Sequence, residues 1–206
     1  MAVSTRLSSQ DRRSAILKSA IQLFAERGFR GVTTRELAAE VGVSEPVLYQ
    51  HFPSKRDLYT AIIEASRDEH YESELEGLEK LAECGDDEYF FTGLAHGMIR
   101  WHENRPEAIR LKLFANLEGH ELMEELHDKQ AKPFIDVIVG YIGKRVEQGA
   151  FQNVNPLGAA TAFCGMVSQY CMATILFRSS IFSAIDRQEM VNLTVQLFLK
   201  GIRKAD

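Results

Sequence analysis

From Ser44 to Lys55 the chain arranges polar side chains around two apolar ones. Leu48 and Phe52 fall four apart on one side of a helix, which leaves Glu45, Pro46, Val47, Tyr49, Gln50 and His51 outward or at its edge. Groups of these types meet base edges and phosphates. A carboxamide such as Gln50 can pair with adenine N6 and N7, and Val47 can pack on a thymine methyl. Lys55, opening a further helix, adds charge to an end that already attracts anions. Glu45 is the odd member, because its carboxylate is repelled by phosphate, yet it suits a helix N-terminus and can accept from cytosine.

Such groups need a frame, and the flanking residues carry the signals for one. From Asp11 onward Ile16, Leu17, Ala20, Ile21, Leu23 and Phe24 recur at helical spacing, and Gly28 closes the run, with Phe29 placed to fold back on the last turn. Thr33 as N-cap and Glu36 three residues later form a capping box, with Val32 and Leu37 as the hydrophobic staple, so a second helix starts there. Gly42 interrupts it, and Ser44 is placed to cap a third helix, where Pro46 removes only a first-turn amide that has no partner. Ala38 is small where the third helix crosses, and Val41, Val43 and Leu48 fill the wedge. Two short helices across a tight turn make a helix-turn-helix. Pro53 ends the third helix, and Ser54 with Asp57 starts another from Lys55 into the seventies.

The run from Asp11 to Ile63 resembles the DNA-binding domain of the tetracycline-repressor (TetR) family. It carries the elements Leu-Phe-Ala-x-x-Gly, Thr-x-x-x-Leu-Ala, Gly-Val-Ser, Leu-Tyr-x-His-Phe and Ser-Lys-x-x-Leu in order and spacing. The resemblance implies double-stranded operator DNA as partner, with Pro46, Val47 and Gln50 facing bases and Thr33, Tyr49, His51 and Lys55 contacting phosphates. Thr34, Arg35, Ser44 and Glu45 complete the expected DNA-binding set. It also implies a repressor acting as a homodimer on a roughly palindromic site, released when a small, largely hydrophobic effector enters a second domain.

Composition fits this division. The 206 residues are 45% hydrophobic and 26% charged, with five prolines, and read as helix nearly throughout, an all-α fold. The net charge of −5 is unevenly spread: residues 1–60 hold nine Lys or Arg against six acids, the remainder 15 against 23. Residues 1–60 are expected to form the DNA-binding domain and 61–206 a helical domain for effector binding and dimerisation. A cytoplasmic location is expected, with no membrane partner, since the start lacks an apolar leader and no apolar run is uninterrupted over the length of a bilayer span. Cys84, Cys164 and Cys171 lack metal spacing; the last two, seven apart on one helix, lie beyond disulfide reach. His120 and His127 stand too far apart to share an ion, and His96 and His102 point to different faces, so neither a metal nor a cofactor is expected. With no phosphate loop or nucleophile elbow, neither is an enzyme.

Beyond Ile63 the pattern predicts the exposed end of a connecting helix through Glu79, a break at Cys84-Gly85-Asp86-Asp87, and helices over 88–103, 106–117, 121–148, 156–177 and 186–203. The 156–177 stretch is rich in small residues, which let helices approach closely. Ala159, Ala162, Val167, Val191, Val195 and Phe198 are the candidate seam of a four-helix dimer interface, against the alternative that both helices are buried inside a monomer. Phe91, His96, Met98, Trp101, His102, Phe114, Phe134, Tyr141, Phe163 and Tyr170 are candidate effector contacts, against the alternative that such aromatics are simply core. In that second case the protein is an effector-independent or protein-regulated DNA-binding or architectural factor.

Overall fold

The computed structural model describes residues 9–65, 71–119 and 127–204. The described chain is all-α: α1 (Ser9–Arg27), α2 (Thr34–Val41), α3 (Glu45–His51), α4 (Lys55–Ala65), α5 (Tyr71–Glu83), α6 (Asp87–Asn104), α7 (Pro106–Leu117), α8 (Lys132–Glu147), α9 (Pro156–Cys171) and α10 (Arg187–Ile202). A π-helical turn, His127–Ala131, leads into α8, and another, Met172–Leu176, prolongs α9. The expected continuation of α4 through residues 66–70 and the expected helix start at Glu121 lie outside the described residues, as does His120. The chain divides into two compact units: one holds α1 to α4 together with α7, the other α5, α6 and everything from α8 onward.

In the first unit, local signals set each element. α1 buries Ile16, Ala20, Leu23 and Phe24 and ends at Gly28, whose φ of 68° is the left-handed conformation. Phe29 then turns back, its ring 6.3 Å from Phe24 and 5.1 Å from Tyr59 of α4. Thr33 and Glu36 form the complete capping box of α2, and Val32 and Leu37 are both buried. Gly42 (φ 73°) closes α2, with the Val43 amide returning to the Ala38 carbonyl at 2.9 Å. Ser44 occupies the N-cap of α3, but its hydroxyl makes no capping bond. A capping oxygen accepts from the second or third amide of a helix, and Pro46 removes one of those donors. Ser54 does accept from the Asp57 amide at 3.1 Å, and α4 buries Leu58, Tyr59, Ile62 and Ile63. α7 adds buried Ile109, Leu111 and Ala115.

The second unit is a bundle around Phe90, Phe91, Tyr141, Phe163 and Phe198. Phe90 stacks on Tyr141 at 3.9 Å, and Phe91 lies 4.8 Å from Phe163 and 4.7 Å from Phe198. At its edge Asp87, in the first turn of α6, accepts from the Tyr141 hydroxyl at 2.8 Å and from Arg145 Nε at 2.7 Å and Nη2 at 3.1 Å. Within the stretch read as an exposed connecting end, Tyr71–Glu83 forms α5, packed against α6 and α8 with Leu78 buried. The reason is that Leu78 and Leu81 give an otherwise charged helix a narrow apolar edge. The 21 residues Pro156–Leu176 have the length and mean hydropathy of a bilayer span; Ala160, Phe163, Val167 and Cys171 recur on the face of α9 that joins the bundle core.

Candidate nucleic-acid interface

Burial sorts the α3 residues as the spacing predicts. Leu48 and Phe52 are almost fully buried, while Ser44, Pro46, Tyr49 and Gln50 are exposed and Glu45, Val47 and His51 half-buried. Gln50 has no hydrogen-bond partner among the described residues, so its carboxamide is available to a base. Arg13 of α1 lies over the Phe52 ring at 4.7 Å and keeps its guanidinium exposed beside the end of α3.

Other members of the set are already engaged. The Thr33 hydroxyl donates to Glu36 Oε2 at 2.7 Å and accepts from the Glu36 amide at 3.2 Å. The Thr33 hydroxyl and the Thr33 amide, which donates to the same oxygen at 2.8 Å, together with Arg27 at 3.1 Å, hold the Glu36 carboxyl below its ordinary range. Thr34 donates to Glu45 Oε2 at 2.9 Å, which ties the first turns of α2 and α3 together. That bond gives the misplaced carboxylate of Glu45 a structural partner beside its helix N-terminus. Arg35 stays exposed. Lys55 does not extend outward: its ammonium donates to the Phe29 carbonyl and sits 4.2 Å from the centre of the Phe29 ring. Burial pushes its pKa down, against the pull of Glu118 and Glu36. The structure thus brings Pro46, Val47, Tyr49, Gln50 and His51 together on one helix, and directs Thr33 and Lys55 to internal bonds.

Glu118 is missing from the residues singled out in the sequence, where it falls between the helices expected over 106–117 and 121–148. Its carboxylate accepts from the Phe29 amide at 3.1 Å and the Arg30 amide at 3.2 Å. No local signal announces bonds across 89 and 88 residues.

The expected effector contacts scatter. Phe91, Tyr141 and Phe163 are spent on the aromatic core of the second unit, and Phe114 belongs to the first unit, where it packs at Gly28. His102 is buried with Nδ1 2.8 Å from the Met98 carbonyl, and burial lowers its pKa. His96, Met98, Trp101, Phe134 and Tyr170 remain half-buried. Of the expected dimer residues, Val167, Val191, Val195 and Phe198 are buried inside the protomer's own bundle. Only Ala159 and Ala162 keep exposure; the outward apolar residues of α9 and α10 are instead Leu157, Met166, Leu193 and Leu197.

A compact three-helix head, with a capped α2 and an outward α3 joined by a Gly42 turn, defines a helix-turn-helix DNA-binding protein. The family described as bacterial regulatory proteins, tetR family, fits residues 16–62, and the C-terminal domain of AefR-like transcriptional repressors fits residues 107–201. Over 195 residues the chain is 25% identical to the uncharacterized HTH-type transcriptional regulator YvkB of Bacillus subtilis, covering 91% of this chain and 95% of that one. Over 59 residues it is 44% identical to the HTH-type transcriptional activator FasR of Mycolicibacterium smegmatis, covering 29% of this chain and 27% of FasR. The fold is shared with AibR, solved in complex with isovaleryl coenzyme A and operator DNA, at a TM-score of 0.68 and 21% identity over 90% of this chain and 97% of AibR. The chain belongs to the TetR family of transcriptional regulators.

Proposed function

We propose that the protein is a homodimeric repressor whose two α3 helices enter successive major grooves of an inverted-repeat operator. The observation that carries this reading is the outward face of α3, with Pro46, Tyr49 and Gln50 exposed on a helix anchored by Leu48 and Phe52. In it Val47 and Gln50 choose bases with Pro46, while Tyr49, His51, Ser44, Arg35 and the α2 N-terminus at Thr33 and Thr34 meet phosphates. Residues 1–60 act as the DNA-binding domain and 61–206 as the effector and dimer domain, in a cytoplasmic protein.

The dimer seam in this reading is the outer face of α9 and α10, built on Leu157, Ala162, Met166, Leu193 and Leu197. Large apolar side chains left exposed on both of the last two helices are what such a seam would cover. AibR, crystallised with an acyl-coenzyme A, supports a small-molecule effector here, and His96, Met98, Trp101, Phe134 and Tyr170 are the residues with exposure left to touch one. Such an effector lowers operator affinity only by binding the DNA-free arrangement better than the DNA-bound one. FasR, named as an activator, favours a second reading in which the bound dimer recruits rather than blocks.

Sedimentation and operator titration of Leu193→Asp combined with Leu197→Asp test the dimer. The wild type should sediment as a dimer, and the double variant as a helical monomer whose operator affinity falls by roughly 10²-fold or more, the advantage of two linked heads. A wild type that is monomeric at full operator affinity contradicts the reading.

A further inference from the structure

Resting on the operator-binding reading above, we propose that Glu118 is a positioning residue for DNA binding. Its carboxylate holds the turn between α1 and α2, and through that turn the N-terminus of α2, in the arrangement that meets the operator. α1 ends at Gly28, and the next two amides, Phe29 and Arg30, each donate to one oxygen of Glu118, at 3.1 and 3.2 Å. A carboxylate spanning two consecutive amides makes charge-assisted bonds that fix direction as well as distance. The approach is close because Gly28 has no side chain: a Cβ there would stand 2.8 Å from Glu118 Oε1 and 2.9 Å from Phe114 Cδ1 of α7.

The same turn is held from the opposite polarity. While Phe29 gives its amide to Glu118, its carbonyl accepts from Lys55, the first residue of α4, and its ring lies beneath that ammonium. One residue is thus clamped between an anion from the end of α7 and a cation from the start of α4. Four residues further on stands Thr33, the N-cap of α2, and Arg27 just before the turn pairs with Glu36 inside α2 at 3.1 Å. The clamp therefore sets where α2 begins and, through Thr34 and Glu45, where α3 begins.

A residue acting this way has a distinct signature. Its loss reduces the fraction of protein in the binding-competent arrangement, so every DNA sequence loses affinity by the same factor. A lost base contact would instead relax one position, and a lost phosphate contact would lower the salt slope by about 1. We would titrate Glu118→Ala, Glu118→Gln and Glu118→Asp in the full-length protein against its operator over a range of salt. Glu118→Ala should weaken binding about tenfold or more, with base preference and salt slope unchanged. Glu118→Gln, which keeps one acceptor oxygen, should fall between. Combined with Lys55→Met, the loss should be less than the product of the single losses, because both side chains hold one residue.

Amide hydrogen exchange supplies a readout that needs no DNA: Phe29 and Arg30 should exchange faster in Glu118→Ala than in the wild type. Wild-type operator affinity in Glu118→Ala, a changed base preference, or unchanged exchange at both amides would overturn the inference. Should thermal melts show Glu118→Ala unfolded, Glu118→Gln decides by the same criteria. If the wild type selects no operator, the operator-binding reading fails, while exchange at Phe29 and Arg30 still decides whether Glu118 holds the turn.

Discussion

Gly28 and Gly42 form a natural experiment, because both close a helix in the left-handed conformation, at φ 68° and 73°, and only one is crowded. Replacing either with alanine imposes the backbone cost of an L-residue there, about 1–2 kcal/mol. At Gly42 nothing lies within 4 Å of the new Cβ, so that is the whole cost. At Gly28 the methyl meets Glu118 Oε1 at 2.8 Å and Phe114 Cδ1 at 2.9 Å, both inside normal contact. Glu118 can withdraw only by surrendering the Phe29 and Arg30 amides, and Phe114 only by lifting off the turn, so overpacking adds about 1–3 kcal/mol. Gly28→Ala should therefore lose about 2–5 kcal/mol against about 1–2 for Gly42→Ala. Urea unfolding of both variants, followed by far-ultraviolet circular dichroism and by exchange at the α1 amides, measures the difference. Equal losses would refute the reasoning, since they would mean that α7 does not press on the turn.

Asp87→Ala should destabilise the second unit by about 1–3 kcal/mol, because the buried Tyr141 hydroxyl loses its acceptor while Arg145 and Arg203 keep contact with water, whereas Tyr141→Phe, which removes one donor, should cost about 1 kcal/mol in the same urea titration. Gln50→Ala should lose about 1–3 kcal/mol at a single base position of the operator and relax preference there, as read by selection with the variant; a uniform loss would remove Gln50 from base choice. His102 has its folded pKa lowered by burial, so its neutral form is favoured in the fold. Stability from this group is complete above the ordinary histidine value near 6.5 and is lost as pH falls below it. Denaturant midpoints measured down to pH 5 should drop less steeply in His102→Gln than in the wild type.

The helix-turn-helix was legible because its signals are local. Thr33 with Glu36, the turn at Gly42, and Ser54 with Asp57 each act within four residues, and each appears at its expected place. Ser44 occupies its expected cap position without the expected bond, and Pro46 two residues on leaves it only the Val47 amide as a donor. What the sequence concealed was long-range. Nothing near Glu118 or Pro106 indicates that α7 joins the first unit, for the bonds to Phe29 and Arg30 span 89 and 88 residues. The small residues of α9 signalled close helix packing without telling which face turns outward. Phe163 and Val167 went to the protomer core, and Leu157 and Met166 went to the surface. Aromatics that could line a pocket have the same spacing as aromatics that fill a core, and only packing separates Phe91, Tyr141 and Phe163 from the half-buried Trp101 and Phe134.

Selection of the full-length protein on random duplex DNA, repeated at two salt concentrations, is the most direct test of whether α3 reads bases as one of a pair. Recovery of a single inverted repeat, with half-sites about one helical turn apart or a multiple of it, is the expected result. Binding that weakens with salt but returns no motif would mean that the head holds phosphates without reading sequence, and would contradict the assignment of Val47 and Gln50.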